Sequence, residues 1–304
     1  MPIRPRPYAD DDLPALQAAL AGWIASAGVC GYCHIGELPH RIYENLRGRL
    51  PVGELVQIWE DAGRIAGVAI CGRFGAAFDV FAAPELRGAG QERAMLEAAC
   101  ATTRRLMPRL GAEGQPVITD VFGCDDTRKA QLAALGFAPY RQWDDITERS
   151  LEGALPEASL PEGFRVRCAA PGDYAQLAAV RNAAFGAGWS PEQYRDEVMR
   201  KPGYEPEREL VAVAPGGQIA AFTVIWPDAL NRTGLFEPVG THPEFQRLGL
   251  ARALMAAAMR QMRREGMRTA TVAHDATNQP ARALYRSLGF QKTGETFGYQ
   301  QGAS

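Results

Sequence analysis

VGTHPEFQRLGLA, from Val239 to Ala251, runs directly into the apolar segment Arg252–Met262 and reads as a strand end, a short loop and the opening of a helix. The loop Gln246-Arg247-Leu248-Gly249-Leu250-Ala251 has a glycine and an alanine where a bulky side chain would block close approach of the backbone. A helix opening on such a turn aims its first unpaired N–H groups at the end of the strand, an arrangement suited to phosphate oxygens.

Downstream, Thr269–Ala273 has the Thr and Val content of a strand, and HDATNQPARALYRSLGF follows with helix signals at both ends. Asn278 is placed near the N-cap, Pro280 in the first turn, and Gly289 at the stop before Phe290. Asn278 and Tyr285 are seven residues apart, so on a helix they lie within about 20° of one face and one ligand reaches both.

The Q-x-x-G-x-A loop after a strand, followed by N-x-x-A-x-x-x-Y-x-x-x-G-F, resembles the two signatures of the GCN5-related N-acetyltransferase (GNAT) superfamily. The resemblance implies that Gln246, Arg247, Leu248, Gly249, Leu250 and Ala251 hold the pyrophosphate of acetyl-CoA as co-substrate. It also implies that Asn278 contacts the pantetheine arm and that Tyr285 stands near the thioester sulfur.

Composition fits a globular chain: 304 residues, 46% hydrophobic and 22% charged. A formal net charge of −2 gives no global basic field, which argues against nucleic acid as a partner. Only Lys129, Lys201 and Lys292 are lysines among the 33 basic residues, and nothing gathers the arginines into one patch. MPIRPRPYADDD lacks an apolar signal core, and no run of 18 apolar residues occurs, so the expectation is a cytoplasmic protein with no membrane partner.

Cys30, Cys33, Cys71, Cys100, Cys124 and Cys168 are then expected as reduced thiols. Cys30-Gly31-Tyr32-Cys33-His34 matches the C-x-x-C-H pattern, with His40 six residues on, but haem attachment requires export and zinc lacks a second ligand pair. No metal is expected.

Two domains follow from length and from an internal repeat. In the second half, Phe164–Cys168, Glu209–Ala214, Ile219–Trp226 and Leu235–Thr241 read as strands and Pro171–Phe185 as a helix. That order predicts an α/β mixed sheet flanked by helices. Ile3–Arg6, ADDDLPALQAAL, Glu54–Trp59 and Ile65–Cys71 repeat it in the first half. The expectation is two tandem GNAT domains, each a mixed, mostly antiparallel sheet, at 1–147 and 164–304 with a linker at 148–163, an organisation similar to the mycothiol synthases.

The first copy departs from the pattern: Glu92 stands where the second loop has Ala251, Asp125 replaces Asn278, and Leu132 replaces Tyr285. A carboxylate repels a pyrophosphate and leucine has no proton to give, so the first domain is read as catalytically degenerate.

Transfer of an acetyl group from a thioester to an amine needs a neutral amine, a stabilised carbonyl oxygen and a protonated leaving thiolate. Tyr285 is the candidate acid, and backbone N–H groups of Val239, Gly240 and Thr241 the candidate oxygen site, with Gly240 permitting a bulge. Many family members carry Glu at the position of Leu235. Here Glu237, two residues on and on the same strand face by alternation, is the candidate base, with His242 next by type. The predicted function is N-acetylation of a small-molecule primary amine by direct attack, in a monomer or homodimer; the rival is an acyl-CoA-binding sensor without turnover. Acceptor contacts are expected from Ala183–Arg200, including Phe185 and Trp189.

Overall fold

The computed structural model describes residues 3–302 and divides into two units, residues 3–145 with 294–302 and residues 146–293. In the first, β1 (Arg4–Pro7), β2 (Val56–Asp61), β3 (Arg64–Arg73) and β4 (Ala77–Ala82) are successive antiparallel neighbours. Next to β4 lies β5 (Val117–Phe122), parallel to it at Ala77 and Phe78 only. Helices Leu13–Ala27 and Gly90–Leu106 cover this sheet, burying Leu16, Leu20, Met95 and Leu96.

In the second unit, β7 (Arg165–Cys168), β8 (Glu209–Val213), β9 (Ile219–Asp228) and β10 (Thr233–Thr241) are antiparallel neighbours. Parallel to β10 runs β11 (Thr269–Asp275). Alternation sorts the side chains of β8 and β9 between two cores. Leu210, Ala212 and Ile225 join one core with Leu254, Met255, Ala258, Met259 and Met262 of the helix Leu250–Arg264. Val211, Val213 and Phe222 join the other with Leu177 and Val180 of the helix Tyr174–Phe185. Both units are therefore mixed, mostly antiparallel sheets flanked by helices.

The unit boundaries differ from those expected at 147/148 and 163/164, because two long strands each finish in the other unit. The first, β6 (Ala138–Ser150), leaves the first unit at Asp145, and its remainder lies next to β11 in the second. There Thr147 Oγ1 donates to Val272 O at 3.0 Å, and Leu151 N to Arg268 O at 2.7 Å. The expected linker thus begins as strand, and the fully buried Leu151 anchors it to the second unit's core. Conversely, β12 (Gln291–Gln301) ends by pairing antiparallel with β5 of the first unit, from Thr296 opposite Phe122 to Gln301 opposite Val117.

The reduced state expected of all six cysteines does not hold for Cys30 and Cys124, which form a disulfide with Cα atoms 6.1 Å apart. That separation is inside the window of about 4.4–6.8 Å that the bond requires. The residues are 94 apart in sequence, so no local spacing betrays the pairing. Cys33, Cys71 and Cys100 are buried free thiols and Cys168 an exposed one. Among the described residues no helix is long and apolar enough to cross a membrane.

Candidate active site

The site of the second unit starts where β10 and β11 part. Their parallel register holds from Thr233–Leu235 against Thr269–Thr271 and stops there. On its other edge β10 slips against β9 between Phe236 and Val239, a bulge containing Glu237 and the cis bond Glu237–Pro238. Within this bulge strand alternation no longer determines which face Glu237 takes relative to Leu235. Trp226 fixes the bulge by donating Nε1–H to Glu237 O at 2.8 Å. A proline within the strand was the available sequence signal for this irregularity.

Gly240 has a different role from the one its sequence context suggests. It is back in register opposite Phe222, and a Cβ there would lie 2.5 Å from Phe222 Cε1 and 3.1 Å from Phe185 Cζ. Close packing of two rings, not bulge geometry, requires this glycine. Gly240→Ala is expected to cost about 1–3 kcal/mol by overpacking, seen as a fall in Tm by scanning calorimetry; an unchanged melting profile would contradict the packing.

After β10 the chain makes one short turn at Pro243–Phe245, where His242 Nδ1 accepts the Glu244 N–H at 3.3 Å and the ring lies against Phe245. This occupies the ring nitrogen in capping. Gln246, Arg247, Leu248 and Gly249 are exposed, Leu250 is buried, and Arg247 and Gly249 take left-handed φ values of 67° and 80°. Gly249 caps the helix Leu250–Arg264 without any side-chain bond to its first turn. Ala251 contributes only a methyl group. The loop thus presents backbone donors to solvent at a helix N-terminus, the requirement for holding a pyrophosphate.

In the first unit the corresponding loop is already filled. Gly88, left-handed like Arg247 with a φ of 75°, donates its N–H to Glu92 Oε2 at 2.5 Å. Arg128 holds the other oxygen of that carboxylate at 3.1 and 2.5 Å through Nε and Nη2. Glu92 and Arg128 are both buried.

The second signature takes the expected form. Asn278 Oδ1 accepts the Ala281 N–H at 3.0 Å, capping the helix Gln279–Ser287, and Gly289 at φ 85° ends it. Asp125 caps the helix Asp126–Ala134 in the same way through Arg128 N at 3.1 Å, with the fully buried Leu132 seven residues on.

Tyr285 is only 6% exposed, packed against Phe290 and the His274 ring, whose centroid is 5.6 Å away. Buried tyrosines ordinarily find a partner for the hydroxyl. Tyr8 and Tyr43 bond each other at 2.7 Å, Tyr32 donates to Ala82 O, and even the half-buried Tyr204 donates to Glu209. The Tyr285 hydroxyl makes no hydrogen bond to any described residue. Burial, and secondly the Glu237 carboxylate, push its phenol well above the ordinary range. Glu237 and Tyr285 therefore act on each other electrostatically.

Residues 174–290 match the model of the acetyltransferase (GNAT) family. A mycothiol acetyltransferase of Nocardia farcinica is 30% identical over 220 residues, 66% of this chain and 72% of that protein. The chain belongs to the GNAT acetyltransferase family. A mycothiol acetyltransferase of Pseudarthrobacter chlorophenolicus is 36% identical over 175 residues, 54% of each chain, so the match spans about half the length of that relative. Among solved structures, a tandem GNAT protein from the clavulanic acid biosynthesis pathway superposes with a TM-score of 0.64 at 16% identity, over 100% of both chains. That likeness supports the fold: this is a tandem GNAT chain, organised like the mycothiol synthases.

Within this GNAT frame, sequence reasoning missed His274 against Tyr285 and Trp226 on the bulge. Of the residues expected to meet the acceptor, Phe185 is 52% exposed and its ring lies against Phe222 next to Gly240. Trp189 is not available: it is buried in the core against Tyr194, with its backbone tied to Asn182.

Proposed function

We propose that the second unit transfers the acetyl group of acetyl-CoA directly to a primary amine of a small molecule, without a covalent enzyme intermediate. The observation that carries this reading is the Tyr285 hydroxyl, which bonds to no described residue although the side chain is packed against His274 of β11 and Phe290. Backbone N–H groups of Arg247 through Ala251 take the pyrophosphate, Asn278 the pantetheine arm, and N–H groups of Val239 and Thr241 the thioester oxygen, the Gly240 N–H being turned to Phe222 in the β9 register. Tyr285, kept protonated by burial, gives its proton to the departing thiolate. Glu237 draws the proton from the attacking amine, directly or through water. Phe185 forms one wall for the acceptor. The first unit does not catalyse: Glu92 fills its loop and Leu132 stands at the acid's position.

The names of the relatives, mycothiol acetyltransferases, support acetyl transfer involving a small molecule. The test is titration calorimetry with acetyl-CoA, followed by a screen of amines for thiol release. One micromolar site and release with at least one amine is the expected result. Binding without release from any amine would favour an acyl-CoA sensor, and no binding would sink the reading.

A further inference from the structure

The C-x-x-C segment Cys30–Cys33 has no part in the proposed reaction, yet one of its sulfurs is committed to Cys124. Cys30 lies in the turn after the helix Leu13–Ala27, and Cys124 directly precedes Asp125, the cap of the helix Asp126–Ala134. A second tie runs in parallel: Arg87 donates to Cys30 O at 2.6 Å and pairs with the Asp125 carboxylate. Gly31 is pressed against this pair, such that a Cβ there would lie 2.7 Å from Asp125 Oδ2. Gly31 and Asp125 both line a cavity of the first unit, together with Asp79, Asp120 and Arg128.

The disulfide therefore joins the two chain segments at the rim of that cavity, one residue from each lining position. Arg87 opens the loop that Glu92 fills, so the same contacts reach the first unit's cradle. The two residues differ in exposure, Cys124 being exposed and Cys30 half-buried. Exchange requires a thiolate to reach one sulfur, and Cys124 is the more exposed residue of the pair.

We infer that Cys30–Cys124 is an exchangeable latch over this cavity, opened by a low-molecular-weight thiol that attacks Cys124 Sγ. The incoming thiolate forms a bond to Cys124 Sγ as the protein S–S bond breaks, and the electron pair leaves on Cys30, which takes a proton from solvent. A second thiolate attacks the outer sulfur of the mixed disulfide and releases Cys124. Two small thiols are oxidised to one disulfide while the protein disulfide becomes two thiols. With the latch open, Arg87 remains as a polar tie between the turn at Cys30 and the cap.

The test uses the full chain with glutathione as the thiol. Peptide mapping without reductant should give the linked Cys30–Cys124 pair, and acid quenching during reduction should trap glutathione on Cys124. Amide exchange at residues 28–32 and 123–126 should then rise by about tenfold, with the second unit's amides unchanged. The Cys30→Ser/Cys124→Ser variant should show the fast exchange with or without reductant. Absence of the linked peptide, an adduct on Cys30 instead, or exchange within about twofold of the oxidised protein would each overturn the latch.

Discussion

Tyr285→Phe is expected to lower kcat by about two to four orders of magnitude, the usual weight of a positioned acid, while Kd for acetyl-CoA stays within about threefold. The substitution removes one oxygen that bonds to no described residue, so packing against His274 and Phe290 is kept. What is lost is the proton for the leaving thiolate. The pH profile separates this from a structural effect. Because burial and Glu237 raise the phenol's pKa above its ordinary value, the wild-type acid stays protonated through pH 9, and the rate should climb as acceptor amine deprotonates. The variant should keep that ascending limb at a lower plateau. Steady-state kinetics from pH 6 to 9 decides it, and a kcat within about threefold of wild type would remove Tyr285 from the mechanism.

Ala251→Glu is expected to weaken acetyl-CoA binding about a hundredfold, roughly 2.7 kcal/mol. The first unit shows how: there the equivalent carboxylate of Glu92 takes the Gly88 N–H for itself. A glutamate at 251 would reach the Arg247 N–H in the same manner and repel what charge remains of the pyrophosphate. Adding Ala281→Arg supplies the counterpart of Arg128, which holds Glu92 in place. If occupation of the N–H is the cause, the double variant binds no more tightly than the single one. If bare charge repulsion is the cause, the arginine restores affinity. Calorimetric titration of wild type and both variants distinguishes the two, and undiminished binding by Ala251→Glu would place the nucleotide elsewhere.

Much of this was legible because caps and helix stops are local chemistry. Asn278 accepting from Ala281, the left-handed Gly289 and the buried Tyr285 all follow from residue types at fixed spacings. So did the substitution of Glu92 and Leu132 in the first copy. What stayed hidden depends on distance along the chain or on register. The Cys30–Cys124 bond joins loops that only the fold brings together. Alternation placed Glu237 with Leu235, but the bulge at Glu237–Pro238 interrupts the count. Gly240 was read as a backbone device, whereas its need is set by Phe222 and Phe185 above it. Trp189 looked like a binding aromatic, and burial alone shows it to be core.

The crossing of β6 and β12 sets a schedule for synthesis. Residues 296–301 pair with β5, so a ribosome that has made everything through Thr293 has supplied the second unit completely while the first still lacks a strand. The amino-terminal half, although made first, cannot complete its sheet until residues 296–301 have been made. Separate expression of residues 1–147 and 164–304 would leave β5 with an open edge in one fragment and β11 in the other, each a template for pairing with foreign chains. Mixed together, those fragments would have reason to find each other.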